Sequence, residues 1–85
     1  MKHADTAALA RLGPLLGELR ALLGLREKQP GIFYRGSRAW LHFHEDGALL
    51  WADLKQDRVW LRLPASLAEE QHALTARVRS SQASD

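Results

Sequence analysis

Leucines recur at steps of three and four residues along the start of the chain: Leu9, Leu12, Leu16, Leu19 and Leu23, with Leu15 and Leu22 widening the row. That spacing lines one face of a helix and predicts an N-terminal helix over residues 5–23. Asp5 or Thr6 suits its N-cap, and Gly24 its end. Gly13-Pro14 interrupts the row. Proline removes a donor and clashes with the preceding turn, so a kink is expected there, or a second helix starting at Pro14.

After a polar connection over residues 26–31, closed by Pro30-Gly31, the period changes from 3.6 to two. Strand-like runs cover residues 32–35, 39–45, 48–55 and 58–63. Two-residue turn signals separate them at Gly36-Ser37, Asp46-Gly47 and Gln56-Asp57. Links this short force neighbouring strands to be antiparallel, which gives a four-stranded meander. Pro64 follows, then Ser66 three residues before Glu69 in capping-box spacing. Leu67, Ala68, Leu74 and Val78 extend a C-terminal helix from residue 66 to about 79. Residues 80–85 read as a disordered tail. The expected fold class is α+β in a single domain over residues 1–85: an N-terminal helix, kinked or broken, a four-stranded antiparallel meander and a C-terminal helix.

Two-residue loops fix cross-strand partners. With the loops above, Phe33 faces Trp40, His42 faces Trp51, Trp40 faces Asp53, Asp53 faces Trp60 and Trp51 faces Arg62. Side chains alternate between faces. One face then collects Ile32, Tyr34, Leu41, Phe43, Leu50, Ala52, Leu54, Val59, Leu61 and Leu63, the expected core against the N-terminal helix. The other collects Phe33, Trp40, His42, His44, Trp51, Asp53, Trp60 and Arg62, the candidate binding residues. Three tryptophans on a face that would otherwise meet water call for a cover: the C-terminal helix, a second subunit or a ligand.

Composition narrows the classes. The chain has 85 residues and no cysteine, so neither a disulfide nor a thiolate metal site is available. That suits a reducing, cytoplasmic setting. A chain this short buries roughly 60–65% of its unfolded surface, which makes dimerisation the expected reinforcement. Arg11, Glu18 and Arg20 interrupt the apolar N-terminal run, so neither a membrane span nor an export signal is expected. Twelve Lys and Arg against ten Asp and Glu leave +2. That excess does not by itself argue for nucleic acid.

The most chemical stretch is His42-Phe43-His44-Glu45-Asp46. His42 and His44 share a strand face, and Asp53 lies one strand away on the same face. These three are the candidate metal ligands, one short of the usual zinc set. The plainer reading has two half-covered histidines beside an Asp53–Arg62 ion pair. No nucleophile is evident, since Ser37 sits in a turn and Ser66 serves as a cap. His3 and His72 read as solvated. Arg35, Arg38, Lys55, Arg58 and Arg62 mingle with Phe33, Trp40, Trp51 and Trp60. Sheets that bind single-stranded nucleic acid use that mixture. Glu45, Asp46, Asp53 and Asp57 dilute it here.

The run from Phe33-Tyr34 through Ser37-Arg38 to Leu41-His42-Phe43-His44-Glu45-Asp46, followed by Ala52-Asp53-Leu54, resembles a group of small bacterial proteins. These carry a segment of the form FYxxSRxFLHFHED and then a short ADL strand, and their function is unknown. The likeness covers about the middle third of the chain, and Trp40 stands where the pattern has Phe. It implies a bacterial, cytoplasmic origin and carries no activity or site residue with it.

The sequence thus predicts a non-catalytic interaction module. Its partner is a second copy or another protein, met through the aromatic face or the leucine stripe. The alternative is a metal- or small-ligand-binding protein, conceivably an enzyme, centred on His42, His44 and Asp53. Single-stranded nucleic-acid binding is the third reading. No cofactor is implied.

Overall fold

The computed structural model describes residues 1–83. It is α+β, with an antiparallel sheet as expected, but the sheet is larger and the helices are divided differently. Strand β1 (Lys2–His3) is followed by helices α1 (Thr6–Ala10) and α2 (Gly13–Arg20). Strands β2 (Leu25–Gln29), β3 (Ile32–Arg35), β4 (Arg38–Asp46), β5 (Leu49–Gln56) and β6 (Val59–Pro64) come next, and α3 (Ala68–Ala83) ends the described chain.

The expected N-terminal helix is two helices. Asp5 caps α1, its Oδ1 accepting from Ala8 N–H at 3.0 Å. The chain turns at Arg11 and Leu12, and Pro14 stands in the first turn of α2, where a missing N–H costs nothing.

The sheet runs β2-β3-β4-β5-β6, two strands more than the expected meander when β1 is included. β1 shares an edge of β4 with β3: Lys2 pairs with Glu45 and His3 with His44, while β3 pairs with the earlier part of β4. β2 occupies the stretch expected to be a polar connection. Its Arg26, Glu27, Lys28 and Gln29 show no apolar alternation, because β2 is an edge strand that buries only Leu25.

Two hairpin loops sit one residue later than expected, at Gly47-Ala48 and Asp57-Arg58. Each slide moves every cross-strand partner by two positions and leaves the faces unchanged. His42 therefore pairs with Asp53, His44 with Trp51, Asp53 with Arg62, and Lys55 with Trp60. The Gly36-Ser37 loop is where expected, but a bulge follows it. Tyr34 pairs with Ala39 and Phe33 with Leu41, leaving Trp40 as the extra residue. The bulge reverses the faces of β3 relative to the simple register.

The core follows from this corrected register. Leu41, Phe43, Leu50, Ala52 and Leu54 are buried as expected, in one cluster with Leu12, Leu15, Leu16 and Leu19. Phe33 and Trp40, expected on the opposite face, belong to this cluster at 1% and 7% exposure. Phe33 meets Phe43 edge to face, with ring centroids 6.5 Å apart. Ile32 and Tyr34 are only partly buried, and Val59, expected in the core, is 56% exposed.

α3 adds Leu74 and Val78 to the same cluster, so it lies on the same side of the sheet as α1 and α2. It does not cover the opposite face. It starts at Ala68 rather than Ser66. Glu70, not Glu69, reaches back, its Oε1 accepting from Leu67 N–H at 2.9 Å and Ser66 N–H at 3.1 Å. The Ser66 hydroxyl instead holds β5, accepting from Leu50 N–H at 2.8 Å. Ser80–Ala83, expected in a tail, continue the helix. Ser84 and Asp85 lie outside the described residues.

Candidate functional site

With every helix on one side, the other side of the sheet carries a surface built by β1, β4, β5 and β6. Of the eight residues expected there, His42, His44, Trp51, Asp53, Trp60 and Arg62 share this face by strand alternation, and Phe33 and Trp40 do not. The row across the middle reads Ile32, His42, Asp53, Arg62. The next row reads His3, His44, Trp51, Pro64.

Asp53 is the hub. Arg62 grips it with both ends of the guanidinium fork, Nε to Oδ1 at 2.9 Å and a terminal nitrogen to Oδ2 at 3.1 Å. The same Oδ2 lies 3.1 Å from His44 Nε2. The bond from Arg62 is the main reason the Asp53 carboxyl titrates below its ordinary range, against the opposing push of burial. Asp53 is thus a fixed anion, with no proton to give at neutral pH.

His42 stands directly opposite Asp53, yet it is His44 that makes the contact. The His42 ring instead meets Trp60 at 5.0 Å between centroids, tilted by 61°. Its Nε2 and the Trp51 Nε1 are buried without a hydrogen-bond partner among the described residues. Burial is the first cause that lowers the His42 pKa, the neighbouring His44 the second; Asp53 pulls it back upward. The ring therefore favours its neutral form.

His3, expected to be solvated, joins the face. Its ring lies 6.2 Å from that of His44, and its Nε2 is 2.9 Å from the Pro30 carbonyl oxygen. Nothing in the spacing of the sequence points to it, because only the pairing of β1 with β4 brings it there. Lys55, expected at the margin, sits 5.6 Å from the centre of the Trp60 ring.

The arrangement holds a charge and presents rings. Among the described residues, no group of three His, Asp or Glu side chains is set to hold a metal ion. Asp53, the third member of the candidate ligand set, is committed to Arg62. Ser66, expected as a helix cap, is bonded to the backbone of Leu50, and Ser37 lies in the β3–β4 turn as expected. The leucine stripe, the other candidate surface, is largely inside, although Leu23 is 93% exposed. Comparison with protein-family models, curated proteins and solved structures finds no match.

Proposed function

We propose that this chain is a non-catalytic interaction module that pairs with a second copy of itself along the free edge of β6. The observation that carries this reading is the contrast between the two edges of the sheet. Edge strands template pairing with other chains, and proteins blunt them with charges and bulges. β2 is blunted in both ways, by Arg26, Glu27 and Lys28 and by an irregularity between Glu27 and Gln29. β6 reads Val-Trp-Leu-Arg-Leu-Pro, with a single charge already gripped by Asp53. Val59 and Trp60 are 56% and 42% exposed.

The edge is also self-complementary. The pair Gln56–Val59 closes a two-residue loop, so Val59, Leu61 and Leu63 direct their backbone groups at β5. Alternation then turns those of Trp60 and Arg62 outward. A two-fold axis through Leu61 sets Trp60 opposite the partner's Arg62, and Arg62 opposite the partner's Trp60, as hydrogen-bonded pairs. Each guanidinium meets an indole. On the helix side, half-exposed Val59 faces the partner's Leu63. Pro64, with no N–H, ends the ladder. The two open faces become one surface with a pair of tryptophans, Trp51 and Trp60, from each copy, fitted to a further protein partner.

Sedimentation equilibrium at high micromolar concentration tests the reading. The expected mass is twice the 9.6 kDa of the chain. Trp60→Lys sets two like charges opposite each other across the interface and is expected to give a folded monomer. A parent protein that is monomeric under these conditions refutes the reading. A dimer untouched by Trp60→Lys refutes the β6 edge.

A further inference from the structure

The helix-free face extends past its histidines and tryptophans to the β2 edge. Phe33 turns into the core, so its neighbour Tyr34 turns to the open side, and Arg26 pairs with Tyr34. Lys28 Nζ lies 4.6 Å from the centre of the Tyr34 ring. Lys55 stands two residues beyond Asp53 on β5, beside Trp60. One row across the sheet thus reads Arg26, Tyr34, Ala39, Lys55, Trp60. Given that this face meets a further protein, as proposed above, we infer that the partner presents a carboxylate-rich segment. It lies across the strands from Arg26 and Lys28 to Lys55, with or without the β6 pairing.

Charge complementarity carries this. Arg26, Lys28 and Lys55 form no salt bridge among the described residues, whereas Arg20, Arg62 and Arg79 each do. The two lysines rest on rings, Lys28 on Tyr34 and Lys55 on Trp60, and a ring orients an ammonium without neutralising it. The carboxylate within the face, Asp53, is already held by Arg62 and His44. The chain's other described carboxylates are elsewhere. Glu27 turns to Arg20 of α2, and Glu45 turns to Lys2 and the Asp5 N–H. Asp5 caps α1, and Glu18, Glu69 and Glu70 lie on helices. Asp46 ends β4 at the far end of the sheet, and Asp57 lies in the β5–β6 turn. Three positive charges on this face thus have no counter-charge within the described chain.

Spacing adds a detail. β2 and β5 are three strands apart in the sheet order, about 14 Å at the usual separation. An extended chain covers that in about four residues, and residues four apart share a face. Acidic residues at i and i+4 therefore reach both groups of cations. Single-stranded nucleic acid is the other polyanion that fits a sheet, but it stacks its bases on open ring faces. Lysines already lie over the Tyr34 and Trp60 rings. Carboxylates engage those ammonium groups where they stand, which favours an acidic peptide.

The test is fluorescence titration of the full chain at low ionic strength, where surface charge is least screened. Trp40 is buried, so Trp51 and Trp60 report on the face. The probes are a short peptide alternating Asp and Ser, its Asn-for-Asp twin and a short oligothymidylate. Saturable binding of the Asp peptide at one per chain is expected, and none of the twin. Changing Arg26, Lys28 and Lys55 together to Gln is expected to weaken it tenfold or more while the protein melts like the parent. Arg77→Gln removes a charge from α3 and is expected to bind like the parent. No saturable change with the Asp peptide overturns the inference. So does weakening by Arg77→Gln equal to that by Lys28→Gln, or tighter binding of the oligothymidylate. Sedimentation of the same samples separates the two proposals. A dimer that ignores the Asp peptide overturns this one alone, and a monomer that binds it refutes the edge pairing alone.

Discussion

Phe33 and Trp40 are inside because β4 carries one residue more than β3 can match. With Tyr34 opposite Ala39 and Phe33 opposite Leu41, Trp40 has no partner of its own. It turns into the helix-covered cluster, where Arg35 lies 5.2 Å from the centre of its ring. Phe33→Ala should therefore cost about 3–5 kcal/mol, as much as Phe43→Ala. Chemical denaturation measures both, and a Phe33→Ala protein within 1 kcal/mol of the parent would return Phe33 to the open face. His42 sets a second prediction at this scale. Its pKa is lowered below the ordinary 6.5, so the unfolded chain takes up its proton at higher pH than the folded one. Stability from this residue is complete above that value and falls as pH drops below it. His44 and His3 press in the same direction and Asp53 opposes them. Thermal melts are expected to fall in midpoint between pH 7 and pH 5, with a shallower fall in His42→Gln. Equal slopes in the two proteins would contradict the assignment.

At the scale of elements, the faces of β5 and β6 and of β4 beyond its bulge were legible, and the partners across them were not. A two-residue loop always joins an odd position to an even one. Moving it by one residue therefore shifts partners by two and keeps every side chain on its face. That is why His42, Asp53 and Arg62 were expected together although the loops were misplaced. The Asp46-Gly47 signal misled because only Gly47 takes a positive φ there, +61°, so it opens the loop instead of closing it. The bulge has no such signature and reverses one strand, which is how Phe33 and Trp40 were lost from the candidate face. β2 was illegible for another reason: an edge strand buried at one residue has no period to read. Gly31 ends the turn that β2 requires. It has φ +76°, and a Cβ there would stand 2.8 Å from Leu9 Cδ2. Gly31→Ala is expected to lose about 1–2 kcal/mol from the left-handed backbone alone, with more from moving Leu9. An unfolding midpoint equal to the parent's would show that this turn relaxes freely.

Among the described residues, the molecule is a single layer of helices on a sheet whose other side carries no helix. The pairing proposed above would reinforce it at one edge strand and one face, not on the helices. The open face also fixes what acid does. Asp53 loses its charge only well below neutrality, so the Arg62–Asp53 bond outlasts the protonation of His42 as pH falls.

The pairing of β1 with β4 sets an order in time. Asp5 N–H donates to Glu45 Oε2 across 40 positions of sequence, and α1 and α2 lie between them. At 5–20 residues per second, a ribosome needs roughly 2–8 s to bring Glu45 into being after Asp5. Throughout that interval the leucines of α1 and α2 have no sheet to cover. The apolar stripe of α1 and α2 is thus made before the strands it covers, and it meets whatever else is near before it meets its own core.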